Sequence, residues 1–114
     1  MNTKKEDKKA YKQMKFRAGI FQIKNLKNNK IFLQSSGDLE RAFNSDNFQL
    51  KAGLHPNEEL QNDWNTLGSD NFEFSTLDEL EIKETATASE IKNELTLFLE
   101  LHRNELMKTG EVLY

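Results

Sequence analysis

The sequence contains no cysteine, a single proline and no long hydrophobic run. The lack of cysteine excludes disulfide bonds, thiolate catalysis and cysteine-based zinc sites together. With Pro56 alone, a proline-rich linker is excluded as well. No stretch approaches the roughly 18 apolar residues that a membrane helix requires, and no apolar segment follows the basic start of the chain as it would in a secretory signal. These absences favour a cytoplasmic protein that does not associate with membranes.

What is present is a chain of 114 residues, 36% hydrophobic and 31% charged. This length can build one hydrophobic core and is too short for two domains. No internal repeat is found. The pattern predicts a basic arm over residues 1–15, a single domain over residues 16–110, and a tail over residues 111–114 that trails off.

Positive charge is concentrated at the start of the chain. Residues 1–17 hold seven of the sixteen basic side chains against two acidic ones, a local charge of +5. The other 97 residues carry nine basic and seventeen acidic side chains, a charge of −8. Clustered basic residues bind nucleic acid by releasing counterions, so the arm predicts a weak, salt-sensitive contact, although a solvated arm explains the same charges. The basic residues are Lys4, Lys5, Lys8, Lys9, Lys12, Lys15 and Arg17.

Alternating residues on either side of an Asn28-Asn29 turn predict a β-hairpin. The first strand covers residues 19–25 and the second residues 30–34. Asparagine tolerates a positive φ, which suits the tight turn. The first strand carries bulk on both faces, so we expect it to be central and covered on each side.

The later part of the chain predicts three helices and a third strand. A helix over residues 39–52 begins after a polar cap, Ser36 or Asp38, and ends at a glycine. A second helix follows the proline, residues 71–77 alternate as a strand, and residues 87–107 form a long terminal helix. The predicted fold class is therefore α+β, a small three-stranded antiparallel sheet with helices packed on it, in the order β-β-α-α-β-α.

Four segments together resemble the GIY-YIG nuclease family. They are residues 19–25 (Gly-Ile-Phe-Gln-Ile-Lys-Asn), residues 30–36, residues 55–65 with Leu-Gln-x-Asp-Trp-Asn at their end, and residues 70–74 with Asn-Phe-x-Phe. The resemblance spans about residues 17–107. It implies the GIY-YIG fold. It also implies cleavage of a phosphodiester with one divalent metal on a glutamate of the last helix, a tyrosine that helps to deprotonate water, and an arginine of the first helix that steadies the phosphate.

The positions that match the family's site carry other residues. The two signature tyrosines are matched by Phe21 and Phe32, which have no hydroxyl. The arginine position falls on Ala42, and a basic position four residues later falls on Asp46. The metal-binding glutamate falls on Leu95. The resemblance therefore implies a degenerate site with no catalytic residue and no metal cofactor.

Two functions remain open. The substitutions favour a non-catalytic binding module for a protein or nucleic-acid partner. The alternative is a metal-dependent endonuclease with a rearranged site that uses Arg41, next to the arginine position, and Glu94, which a shift of one residue would place at the metal position. Its cofactor would be Mg²⁺ or Mn²⁺. His55 and His102 are too few and too far apart for a zinc site, and we expect each to be a surface or capping residue.

Overall fold

The central feature of the fold is a three-stranded sheet with helices on both faces. A computed structural model describes residues 17–83 and 85–114. The predicted basic arm, residues 1–15, lies outside the described residues. The predicted fold class and element order are confirmed. The elements are β1 (Ala18–Asn25), β2 (Ile31–Ser36), α1 (Leu39–Ala52), α2 (Glu58–Leu67), a short 3₁₀ helix (Ser69–Asn71), β3 (Phe72–Leu80) and α3 (Ala88–Lys108).

The sheet order is β2-β1-β3, and both pairs are antiparallel. β1 is the central strand, as its large side chains on both faces predict. Ile23 lies opposite Phe32 on β2 and opposite Phe74 on β3. Because side chains alternate along a strand, Phe21 shares this face and Ile20 points to the other.

The β1–β2 turn is built on two asparagines. Asn29 has a φ of 64°, the left-handed conformation that asparagine tolerates. The side chain of Asn25 is fully buried, and its Oδ1 accepts the backbone N–H of Lys27 at 2.9 Å. The Asn25 N–H donates to the Lys30 carbonyl at 2.9 Å and closes the hairpin. The predicted hairpin and the reason given for its turn are confirmed.

The main core lies between one face of the sheet and the helices α1 and α2. Its aromatic rings meet edge to face, as in Phe21 against Phe43, whose ring centroids are 5.0 Å apart. The buried members of this core are Phe21, Ile23, Leu39, Leu50, Leu60, Trp64 and Phe72.

The opposite face of the sheet is covered by α3. Leu95 is the buried residue of this helix, which contacts β2 and β1. Asp78 lies opposite Ile20 in the register, on this second face, and His102 of α3 pairs with it at 3.3 Å. The Thr87 side chain and Glu90 form a capping box that fixes where α3 begins. Among the described residues, no helix is long and apolar enough to cross a membrane.

The chain after α3 returns to the sheet. The Ile31 N–H donates to the Val112 carbonyl at 3.0 Å, and the Tyr114 N–H donates to the Ile31 carbonyl at 2.9 Å, with a bridge between Ile31 and Leu113. The structure thus differs from the expectation that residues 111–114 trail off. The reason is that β2 is an edge strand, whose outward backbone groups need partners that sequence pattern alone does not reveal.

A polar network anchors this returning segment. The Tyr114 hydroxyl donates to Asp63 Oδ2 at 2.6 Å and accepts from Asn25 Nδ2 at 3.0 Å. Burial, together with the hydrogen bond to Asp63, raises the pKa of Tyr114 from 10.0 to about 12. Because the folded state holds the phenol proton more tightly than the unfolded chain, this stabilisation is fully present below pH 10 and is lost as pH rises through about 12.

Tyr114→Phe tests this network. The variant should lose about 1–2 kcal/mol of unfolding free energy at neutral pH, because Asp63 loses its shortest hydrogen bond. Urea unfolding at a series of pH values should show a loss of stability for the parent protein as pH rises from 10 toward 12, and a smaller loss for the variant. Parallel curves for the two proteins would show that the phenol is not linked to folding.

Gly19 is required by the close approach of β3. The register shifts between Ile20 and Phe21, so β3 bulges there. A Cβ atom at Gly19 would overlap the Asp78 carbonyl oxygen and lie 2.8 Å from Glu79 Cα. These are backbone atoms, which cannot move aside as a flexible side chain could.

Gly19→Ala should therefore cost about 3 kcal/mol of unfolding free energy. Gly37→Ala is the matched control, since a Cβ there meets no atom within 4 Å, and it should change stability by less than about 0.5 kcal/mol. Denaturant unfolding of the two variants measures the difference. Equal stability of the two would contradict the close approach.

Candidate active site

Three of the positions that match the family's site lie on the core side of the sheet: Phe32 on β2, and Ala42 and Asp46 on α1. Phe32 is half-buried on β2 and packs against the core, as does Ala42. Ala42 and Asp46 are four residues apart on α1 and therefore share one side of the helix. This side also faces His55, in the loop before α2.

Asp46 and His55 form a partly buried pair. His55 Nε2 and Asp46 Oδ1 are 3.1 Å apart. The histidine side chain is 1% exposed, whereas the aspartate side chain is 15% exposed. The Phe32 ring meets the His55 ring edge to face, with centroids 5.2 Å apart. The carboxylate is thus the outer member of the pair and the imidazole the inner one.

The hydrogen bonds of the loop fix the tautomer of His55. The Asn57 N–H donates to His55 Nδ1 at 3.0 Å, so Nδ1 carries no proton. In the neutral ring the proton is then on Nε2, which donates to Asp46. Gln61 holds the loop in place, because its Oε1 accepts the His55 N–H and its Nε2 donates to the Leu50 carbonyl, both at 2.9 Å.

The environment changes the acidity of Asp46. Burial raises the pKa of Asp46 above its usual range, since the charged form loses hydration. Attraction to His55 and the hydrogen bond from it oppose this rise without cancelling it. A mostly buried carboxylate of this kind is a stronger base than an exposed one, and it keeps a small part of its surface open to solvent.

The other predicted positions lie apart from this pair. Phe21 is fully buried in the core, where it serves packing. Leu95 is buried beneath α3 on the opposite face of the sheet, and Glu94 beside it is exposed. Arg41 is exposed on α1, adjacent to Ala42. The structure therefore groups Phe32, Ala42 and Asp46 and leaves Leu95 on another surface.

Arg17, the predicted nucleic-acid-binding residue that falls within the described part of the chain, is already paired. Arg17 donates to Glu79 at 3.1 Å, with both side chains about half exposed. The lysines of the arm, residues 4–15, lie outside the described residues. Within residues 17–83 and 85–114, no three histidine, aspartate or glutamate side chains are grouped closely enough to hold a metal by themselves.

Sequence reasoning misses the role of His55, for which it predicts a surface or capping position. The cap part is correct, since Nδ1 accepts the N–H of Asn57, the N-cap residue of α2. The surface part is wrong, because the side chain is buried. The sequence feature that could have indicated this buried role is the position of His55, in the loop after α1 and nine residues beyond Asp46.

Comparison with known proteins gave one curated relative and two solved structures. No family model matches the chain. The curated relative is Intron-associated endonuclease 1 of Enterobacteria phage T4, 38% identical over 64 residues, which cover 56% of this chain and 26% of that protein. The chain thus spans about a quarter of the length of this relative.

The solved structures are both of one catalytic domain. The catalytic domain of the homing endonuclease I-TevI is 30% identical, with a TM-score of 0.60 over 80% of this chain and 86% of that domain. A mutant form of the I-TevI catalytic domain is 29% identical, with a TM-score of 0.54 over 73% of this chain and 84% of that one.

These comparisons correct the function that the substitutions favour. The prediction of a non-catalytic binding module is wrong, because both solved relatives are catalytic domains that this chain covers almost entirely. The error comes from treating each substituted position as the loss of a catalytic role. The fold places other titratable groups, Asp46 and His55, beside the matched Phe32. The comparisons favour the enzyme alternative instead.

Proposed function

The chain belongs to the GIY-YIG endonuclease family, and from this we propose that it is a metal-dependent endonuclease that cleaves phosphodiester bonds in DNA. The observation that carries the proposal is 30% identity to the I-TevI catalytic domain over 86% of that domain. Sequence identity over most of a catalytic domain supports a shared activity more strongly than a shared fold does.

The proposed metal is Mg²⁺ or Mn²⁺, held in part by Glu94. Mg²⁺ in phosphoryl-transfer sites is typically bound by one or two carboxylates together with substrate phosphates and several waters. A closed cage of three protein ligands is therefore not needed, which fits the lack of such a group among the described residues. Glu94 offers one exposed carboxylate on α3. When bound, the metal supplies charge neutralisation at the phosphate and a more acidic water.

Positive side chains are proposed to hold the DNA backbone. Arg41 presents an exposed guanidinium on α1, a group whose fork suits a phosphate. The arm adds the lysines of residues 4–15, and the negative charge of the remaining chain leaves them as the main source of attraction for DNA. Binding through such contacts is insensitive to base sequence.

The experiment that tests this function is cleavage of supercoiled plasmid by the purified chain. We expect nicked circles to accumulate with Mg²⁺ or Mn²⁺ and not with EDTA. Circular dichroism of the same sample establishes that the protein is folded. Folded protein that leaves plasmid intact with either metal would contradict the proposal.

A further inference from the structure

We propose that the exposed side of α1 is a binding surface for duplex DNA, on which Phe48 and Lys51 are contacts beside Arg41. The inference rests on the proposed function, which makes DNA the partner, and it adds the surface that the duplex meets. This surface, the outer face of α1, consists of the exposed residues Arg41, Asn44, Ser45, Phe48 and Lys51. They recur three and four residues apart and therefore share one side of the helix.

Charge distinguishes the outer face of α1 from the exposed sides of the other two helices. The exposed charged residues of α1 are Arg41 and Lys51 against Glu40, a net charge of +1. The exposed side of α2 carries two glutamates, and that of α3 carries four glutamates and two lysines. Because the chain after residue 17 carries −8 in total, the helix that attracts a polyanion best is α1.

The two cations of this face are not engaged by the fold. The ion pairs among the described residues include neither Arg41 nor Lys51, whereas Arg17 and Arg103 both donate to glutamates. At 1.5 Å per helical residue, Arg41 and Lys51 are about 15 Å apart along α1. Phosphates recur about every 3.4 Å along each DNA strand, so the two cations can contact phosphates roughly four base pairs apart.

Phe48 lies between the two cations and has no role in the core. Its side chain is 70% exposed, an unusual position for a phenylalanine. Apolar and aromatic side chains contact thymine methyl groups and base steps in the DNA grooves, next to cations that hold the phosphates. Contact with DNA would remove the Phe48 ring from water, which is favourable.

The basic arm enters the fold at the start of this surface. The N–H of Leu39, the first residue of α1, donates to the Arg17 carbonyl at 2.7 Å. The lysines of residues 4–15 directly precede this point in the chain. A duplex held by the arm is therefore kept near the outer face of α1, and the second contact benefits from a high effective concentration.

The test is binding of a labelled DNA duplex to the full chain in EDTA, measured by fluorescence anisotropy at several salt concentrations. Replacing both Arg41 and Lys51 with glutamine should weaken binding by about tenfold or more at low salt. The slope of log K against log salt concentration should become shallower by about 1.8, since each lost phosphate contact contributes about 0.9. Replacing Lys92 and Lys108 with glutamine is the control, because it removes the same charge from exposed sites on α3 and should leave the slope unchanged.

Phe48→Ser separates the ring from the charges. Its affinity should fall by about threefold or more with an unchanged salt slope, because apolar burial is lost and no cation is removed. Leu97→Ser is the matched control, since Leu97 of α3 is also 70% exposed, and it should bind like the parent protein. Circular dichroism should show the parent spectrum for all variants.

Three outcomes would overturn the proposed surface. They are a parent protein that does not bind the duplex, a double variant of α1 that binds like the double variant of α3, and Phe48→Ser with parental affinity. In the last two cases the outer face of α1 would be left for a protein partner, and plasmid nicking by the parent would still support the endonuclease. Conversely, a parent that binds as expected but nicks with neither metal would contradict the endonuclease and leave the DNA-binding surface standing.

Discussion

Replacing Glu94 with alanine is expected to lower metal-dependent cleavage by about 10²–10⁴-fold, the scale that follows loss of a group acting on the transition state. Glu94 is exposed, so the loss should come from the metal and not from the fold. Stability should change by less than about 0.5 kcal/mol. The rate should be measured at several metal concentrations, because a lost ligand raises the concentration that is needed.

Glu105→Ala is the matched control for this change. It removes the same side chain from an exposed site on the same helix, α3, and should cleave like the parent protein. If Glu94→Ala also cleaves like the parent, Glu94 does not hold the metal. If both variants lose activity equally, the general charge of α3 is responsible.

Deletion of residues 1–15 is expected to weaken DNA binding by about tenfold or more at low salt. Six lysines are lost, and each phosphate contact they make contributes to the slope of log K against log salt concentration by about 0.9. The slope should therefore become shallower in the truncated protein. The described strands begin at Ala18, so we expect the sheet to form without the arm.

A full-length variant distinguishes the effect of the lysine charges from the effect of removing the arm itself. Replacing the six lysines of the arm with glutamine should have nearly the same effect on affinity as the deletion. Tight, salt-resistant binding by the truncated protein would show that the folded domain binds DNA by itself. Fluorescence anisotropy with one labelled duplex at several salt concentrations measures all three proteins.

Local signals explain how much of the fold could be predicted. The Asn28-Asn29 turn determines the hairpin because few residues accept the positive φ that Asn29 adopts. Asp38 and Gly53 mark the two ends of α1 through a side-chain cap and a left-handed glycine. The turn and the two helix ends depend on residues that are close in sequence, and the structure confirms all three.

Features that depend on distant parts of the chain were not predictable in this way. The pairing of Tyr114 with Ile31 and the bulge of β3 between the partners of Ile20 and Phe21 follow from how elements meet in space. The candidate site is of the same kind. Family resemblance draws attention to Ala42 and Asp46 as substitutions, and only the path of the loop after α1 reveals that Asp46 has His55 as a partner.

The most direct test of the proposed endonuclease activity is a single-turnover cleavage assay with the full chain in large excess over a labelled DNA duplex. Excess protein removes weak binding as a cause of low activity, so the observed rate constant reports the chemical step and what accompanies it. We predict a first-order rate that depends on Mg²⁺ or Mn²⁺ and falls to background with EDTA. Folded protein that binds the duplex but shows no cleavage above the EDTA background with either metal would contradict the assignment as an endonuclease.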